Sequence, residues 1–197
     1  MWDERYSSAE YVYGTRANDF LATVVGRIPL GPVLELGAGE GRNAVFLAEK
    51  GYDVTAVDQS AVGLDKAQRL AAERGVQIMT VQTDLVELAI EPKAWAGIVS
   101  VFCHVPRAVR APLHASAVAG LQPGGVLILE AYTPSQLGRG TGGPPVPDLM
   151  MSLQELMREL NGVQDWEVAR ETTRAIHEGR FHNGLGDVVQ IVARKGR

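Results

Sequence analysis

The sequence predicts an α/β domain: a mostly parallel, seven-stranded sheet with helices on both faces and an antiparallel strand pair at the carboxyl end. Three observations carry this reading. Short apolar, β-rich runs alternate with helical stretches through the first two thirds of the chain, the pattern of a sheet buried on both faces. A glycine cluster stands between the first of these runs and the helix after it. The last third drops the alternation and ends in two β-like runs whose connection is too short for a crossover helix.

Taken in order, residues 1–30 begin with Trp2, Tyr6, Tyr11 and Tyr13, an aromatic arm ahead of a helix expected from about Ala17, and read as a cover segment. Residues 31–132 form the core, with strands expected at 33–36, 53–58, 76–82, 97–102 and 125–132 and helices at 43–50, 61–74 and 107–121. In residues 133–197 a Gly/Pro-rich loop over 133–147 is long enough to act as a lid. A helix follows near 152–160, then strands at 165–176 and 187–194. The stretch Gly179-Arg180-Phe181-His182-Asn183-Gly184 joins them as a hairpin. No internal repeat and no domain boundary stands out, so residues 1–197 are expected to form one domain.

A chain of 197 residues suits one domain with its own core. Lys and Arg number 19 against 23 Asp and Glu and are dispersed, which argues against a nucleic-acid partner. Cys103 is the only cysteine, so an intrachain disulfide is excluded and a reducing compartment is expected. The first residues lack a basic-then-apolar leader, and no apolar run approaches the ~18 residues of a membrane span. A cytoplasmic protein without a membrane partner is expected, either monomer or homodimer.

The strongest motif is Val33-Leu34-Glu35-Leu36-Gly37-Ala38-Gly39-Glu40-Gly41-Arg42-Asn43, a strand running through Gly-x-Gly-x-Gly into a helix. Glycines allow a sharp turn and close approach of a ligand to the backbone, and the helix start offers free N–H groups to an anion. Dinucleotide-binding folds use a close relative of this motif, so it does not decide alone. Three acids sharpen it. Glu35 precedes the first glycine by two residues, where a carboxylate can face an ammonium group. Asp58 ends the second strand, where it can accept hydrogen bonds from two ribose hydroxyls. Asp84, in Gln82-Thr83-Asp84-Leu85, follows the third strand and is placed for an adenine amino group. Each has a plainer reading: an exposed strand residue for Glu35, a helix N-cap competing with Ser60 for Asp58, a turn residue for Asp84.

With these residues in view, the chain resembles the class I S-adenosylmethionine-dependent methyltransferases over about residues 33–194. Its Gly-x-Gly-x-Gly-Arg-Asn run is similar to the tellurite-resistance branch. The resemblance implies a Rossmann-like fold, S-adenosyl-L-methionine as cofactor and S-adenosyl-L-homocysteine as product. It also implies a cofactor site of Glu35, Gly37, Ala38, Gly39, Asn43, Asp58, Gln59, Asp84 and Leu85, with Tyr6 and Tyr11 of the arm lining the methyl-transfer position. Aromatic faces attract a sulfonium by roughly 0.5–2 kcal/mol.

The acceptor is expected beyond the tips of the fourth and fifth strands, beside His104, Glu130 and Tyr132. His104 is the candidate base, because its ordinary pKa suits proton removal near neutrality. Glu130 or Tyr132 would orient it or the substrate. Alternatively, His104 bonds a loop carbonyl. Cys103 reads as a small buried apolar group. His104, His177, His182 and Glu130 lack the spacing of a metal site, and no metal is expected. The expected acceptor is a small molecule: a thiol, chalcogen oxyanion, amine or hydroxyl. A non-catalytic binding module and a nicotinamide-dependent oxidoreductase are the rival readings. The second leaves Glu35, Asp84 and the terminal strand pair unexplained.

Overall fold

A computed structural model describes residues 2–197. Seven strands form one sheet in the order β3-β2-β1-β4-β5-β7-β6. Strands β1 (Pro32–Leu36), β2 (Asp53–Asp58), β3 (Met79–Gln82), β4 (Trp95–Val101) and β5 (Leu121–Tyr132) run parallel. Strands β6 (Asp165–His177) and β7 (Asn183–Arg194) form an antiparallel hairpin, and β7 also pairs antiparallel with β5. The second arm of the hairpin is therefore an inner strand and the first arm an edge.

The helices are α1 (Trp2–Tyr6), α2 (Asp19–Val24), α3 (Arg42–Glu49), α4 (Ala61–Glu73), α5 (Arg107–Gly120) and α6 (Leu153–Glu159). Four differences from the sequence reading have local causes. The aromatic arm contains a helical turn, α1, with Asp3 and Glu4 in its first turn. Helix α2 starts after Asn18, whose side-chain oxygen accepts the Leu21 N–H at 2.8 Å. Strand β3 is shortened because the Val76 N–H bonds Ala71 O and finishes the turn after α4. Strand β7 starts at Asn183, four residues earlier than expected, because the hairpin register begins with His177 opposite Asn183.

Strand alternation sorts the side chains onto two faces. Val33, Val99, Ile128 and Val192 join Phe20, Leu47 and Leu70 on the face covered by α2, α3 and α4. Leu34, Leu36, Ile98, Leu127 and Ile191 join Leu113, Ala117 and Leu156 on the face covered by α5 and α6. Each fully buried aliphatic side chain contributes roughly 1.5–3 kcal/mol, which commits every strand to this register. Glu35 shares the parity of Val33, and Glu130 and Tyr132 share that of Ile128. All three therefore point toward the α3 side. The strand order reverses between β1 and β4, and the crevice beyond their carboxyl ends is where open α/β sheets bind ligands.

Candidate active site

The loop between β1 and α3 lies in that crevice. Gly37, Gly39 and Gly41 have φ of +67°, +55° and +83°, in the left-handed region that side chains disfavour. At Gly41 the reason is packing: an added Cβ would stand 2.3 Å from the Cβ of Ala67 on α4. At Gly39 the reason is access: an added Cβ would fill the space in front of the loop, 2.8 Å from the Tyr6 hydroxyl. Ala38 is buried, its N–H bonded to Val57 O at 2.9 Å. The loop is thus fixed from behind and bare in front.

Glu35 is 2% exposed, and its Oε2 has no hydrogen-bond partner. Burial pushes its pKa up to about 8, against the opposing pull of the Asn43 side chain and the Arg42 charge. Asn43 is itself held, its Oδ1 accepting the Asn18 N–H at 2.9 Å. Asp58 accepts the N–H of Gly39 and of Ser60, each at 2.8 Å, one on each oxygen. A carboxylate oxygen has a second lone pair, so two acceptor positions remain for hydroxyl groups. Gln59 and Asp84 are exposed and Leu85 is half-buried. Asp84 accepts the Val86 N–H at 3.0 Å, closing its own turn.

The arm covers the loop. Tyr6 is buried, stacked on Trp2 with ring centroids 5.6 Å apart. Glu40, inside the glycine motif, accepts the Val12 N–H at 2.7 Å and pairs with Lys66 of α4 at 2.5 Å. The Lys66 ammonium also donates to the carbonyls of Tyr6, Ser8 and Glu10. This buried pair latches the arm over the crevice. Tyr11 belongs to the latch and not to the methyl-transfer position expected for it: its hydroxyl donates to Lys66 O at 3.1 Å, and Lys66 Nζ lies 5.1 Å from its ring centroid. Tyr11→Phe is accordingly expected to lower stability by about 1 kcal/mol and to leave S-adenosylhomocysteine affinity unchanged. Denaturant melts and calorimetry on the same variant check both halves.

On the acceptor side His104, Glu130 and Tyr132 divide into two roles. Both ring nitrogens of His104 are engaged, Nδ1 with Leu149 O at 2.7 Å and Nε2 with the Tyr132 N–H at 3.3 Å. Burial holds its pKa down to about 4. His104 is thus a neutral tie between β5 and the far end of the lid loop, not a free base. Glu130 is fully buried and takes Arg174 at 2.8 and 2.6 Å, Gln190 at 2.7 Å and Asn18 at 2.6 Å. It does not reach His104, because those strongly donating partners use all its acceptor positions. Tyr132, by contrast, is fully buried with an unpartnered hydroxyl. Cys103 Sγ lies 2.8 Å from where a Gly37 Cβ would stand, and burial pushes its thiol up to about 12, so it stays protonated.

Two further residues face the same crevice: Arg42, which the sequence reading left unassigned, and His182, on the hairpin that it expected could close over the strand tips. Arg42, the first residue of α3, is buried and pairs through Nη2 with Glu178 at 2.7 Å, while its Nη1 has no partner. His182, in the hairpin tip, packs 4.6 Å from the Phe102 ring and 5.4 Å from the Tyr132 ring. Burial and the Arg42 charge hold its pKa down to about 3. The Gly41-Arg42-Asn43 run was the available signal for Arg42. For His182 the signal was its place on the short connection between the two terminal strands. His177 stays outside, bonded to Asn183 in the exposed hairpin.

Two surface clefts flank the arm. One, of about 330 Å³, lies between Arg5, Tyr11 and Val12 and the hairpin's Arg180 and Phe181. The other lies between Tyr13–Asp19 and His177–Gly179. Neither includes the glycine loop, which sits beneath Tyr6. Among the described residues no cluster of three or more His, Cys, Asp or Glu could hold a metal, and no helix is long and apolar enough to cross a membrane.

Residues 33–125 match the family model described as a methyltransferase domain. The fold of the chain is shared with a solved S-adenosylmethionine-dependent methyltransferase from Clostridium acetobutylicum, at a TM-score of 0.66 and 12% identity over 90% of this chain and 89% of that one. TehB from Haemophilus influenzae is another structural neighbour, with a TM-score of 0.73 and 20% identity, covering 98% of this chain and 65% of that one. The uncharacterized methyltransferase YodH of Bacillus subtilis is 32% identical over 69 residues, 35% of this chain and 30% of that protein. The 2-heptyl-1-hydroxyquinolin-4(1H)-one methyltransferase of Mycobacteroides abscessus is 27% identical over 144 residues, 71% of this chain and 63% of that protein. The matches span less than two thirds of either curated relative.

The residues fit the cofactor. An unpartnered buried carboxyl oxygen on Glu35 suits an ammonium group, the bare front of Gly39 suits close approach of a chain, and Asp58 retains two acceptor positions for a ribose.

Proposed function

We propose that this protein binds S-adenosylmethionine in front of Gly37 and Gly39 and transfers its methyl group to a small-molecule acceptor in the cytoplasm. The observation that carries the reading is the Glu35 carboxyl: buried, aimed at the crevice and lacking a partner on Oε2. A buried polar atom without a partner costs about 1–3 kcal/mol, and a ligand ammonium supplies what this one lacks. In this reading Asn43 orients Glu35, Asp58 holds the ribose hydroxyls beside Gln59, and Asp84 and Leu85 border the adenine. Tyr6 closes over the front. A net charge of −4, with Lys and Arg dispersed along the sequence, favours a small acceptor over nucleic acid. The quinolone-modifying relative acts on a compound of that size.

The chemistry asks the protein chiefly to place the acceptor about 3–3.5 Å from the methyl carbon, in line with the departing sulfur. Calorimetry with S-adenosylhomocysteine and with NAD tests the reading. Micromolar binding of the first and none of the second is expected; the reverse preference overturns it. A screen of thiols, phenols, amines and chalcogen oxyanions for methylated product then separates an enzyme from a binding module.

A further inference from the structure

Two buried atoms of opposite character stand on successive elements without a partner: Glu35 Oε2 on β1 and Arg42 Nη1 at the start of α3. Asn43, next to Arg42, bonds Glu35 with its side chain, and the Arg42 charge acts on the same carboxyl. A guanidinium beside a free carboxylate ordinarily pairs with it. Here Arg42 is held from the other side. Its Nη2 pairs with Glu178 at 2.7 Å, and both side chains are more than nine-tenths buried.

Glu178 comes from the far end of the chain and is set in place by backbone contacts. It follows β6, and its N–H bonds His182 O at 2.8 Å across the hairpin tip. Gly179 beside it, at φ +78°, packs on the arm so closely that an added Cβ would stand 2.4 Å from Tyr13 Cα. The Arg180 N–H then bonds Val12 O at 2.8 Å. Around Glu178 the charges balance. Arg174 reaches Glu130 at 2.8 and 2.6 Å and Glu178 at 2.7 Å, so Arg42 and Arg174 are matched by Glu130 and Glu178. Asn18 joins the two carboxylates through Nδ2, at 2.6 Å to Glu130 and 3.0 Å to Glu178, while its backbone N–H holds Asn43. The groups facing Glu35 are then few. They are Arg42, Asn43 and the Ala44 N–H on α3, Asp58 at the end of β2, and the protonated Cys103 thiol after β4. Its register partners across the sheet, Ala56 and Val99, are apolar.

Resting on the methyltransferase reading, we infer that Glu178 is a positioning residue for the cofactor: by holding Arg42 it keeps that guanidinium off Glu35 and leaves the Glu35 carboxyl to the ligand's ammonium. Glu178 acts through Arg42 and touches no ligand itself. Without the Glu178 charge, the buried cluster carries an excess positive charge beside Glu35, which favours the ionised carboxyl and repels an ammonium. Without Arg42 the excess is negative, and both effects reverse. The two partners of one ion pair therefore act on Glu35 in opposite directions. Loss of a merely structural contact would act the same way whichever partner is removed.

The test follows the Glu35 carboxyl by carbon NMR in the full chain with labelled glutamate, the resonance assigned with Glu35→Gln. The parent should ionise near pH 8. Glu178→Gln should lower that midpoint by about one pH unit or more, and Arg42→Met should raise it by about half a unit or more. The double variant, which balances the cluster again, should return to within about half a unit of the parent. Calorimetry then compares S-adenosylhomocysteine with its analogue lacking the amino group. The parent should prefer the first by about tenfold or more; Glu178→Gln should lose most of that preference and the double variant regain it. Midpoints that move in the same direction or not at all, a double variant further from the parent than either single one, or an undiminished preference in Glu178→Gln would each overturn the inference. Thermal melts check each fold, and if Glu178→Gln does not fold, the direction of the Arg42→Met shift decides. Any of these failures with S-adenosylhomocysteine still bound by the parent leaves the methyltransferase reading standing. A parent that does not bind S-adenosylhomocysteine removes both.

Discussion

Gly39→Val is expected to weaken S-adenosylhomocysteine binding by about 100-fold or more, nearly 3 kcal/mol, in a protein that still folds. The added side chain enters the space directly in front of the loop, and the nearest atom it meets is the far end of Tyr6, 2.8 Å from the new Cβ. Tyr6 belongs to the arm and can move aside; a ligand lying along the loop cannot. The φ of +55° adds about 1 kcal/mol of backbone strain for a side-chain-bearing residue, which a single domain can absorb. Gly41→Val serves as the contrast. There the new Cβ meets the Cβ of Ala67 at 2.3 Å between two packed helices, so that variant should lose stability as well as binding. Thermal melts and calorimetry on the pair distinguish a blocked cradle from a broken fold.

The second large effect concerns pH. With its pKa pushed up to about 8, Glu35 is mostly protonated at neutrality in the free protein. Binding an ammonium requires the carboxylate, so below pH 8 each binding event releases a proton. Affinity for S-adenosylhomocysteine should therefore rise close to tenfold from pH 6 to 7 and less steeply, about fivefold, from pH 7 to 8. Above about pH 8 the rise should level off, and affinity should fall again where the ligand's own α-ammonium loses its proton. Glu35→Gln should remove the acid limb and lower affinity at the maximum by about tenfold or more, the loss of one charge-assisted bond. Stability moves the other way. A carboxyl whose folded pKa lies above its unfolded value of 4.5 stabilises the fold below that value, and that contribution is lost as pH rises toward and through 8. Glu35→Gln should thus melt higher than the parent at pH 9, by a few kcal/mol, while binding worse. Calorimetry in buffers of different ionisation enthalpy counts the released proton directly.

Much of this was legible in the sequence because it is local. The glycine spacing, Glu35 two residues before it and Asp58 at the end of β2 sit on consecutive elements, and strand parity alone sends Glu35 and Tyr132 to the same side. The readings that shifted depend on residues distant in the chain. His104 looked like a base from its place at a strand tip, but Leu149, 45 residues on, takes its Nδ1. Glu130 looked like its partner, but Arg174 and Gln190, on the hairpin, occupy it. Tyr11 was grouped with Tyr6 by proximity in sequence, yet the chain bends after α1 ends at Tyr6, sending one toward the glycine loop and the other toward Lys66. Arg42 was in plain view as part of the motif. Its importance depends on Glu178, which no pattern within 130 residues announces.

The position of β7 between β5 and β6 has a consequence for how the molecule is made. Strand β7, synthesised after both of its neighbours, is an interior one, registered against Val126–Tyr132 on one side and against the whole of β6 on the other. Until residues 183–194 have emerged, β5 offers an unpaired edge and β6 has nowhere to dock. The nascent chain therefore carries the β1–β4 half of the sheet with its neighbours in place and its opposite half open. Such an edge is a template for pairing with other chains, so ribosome-stalled or prematurely terminated products of this protein should be the aggregating species, and the hairpin that closes the sheet also ends that exposure.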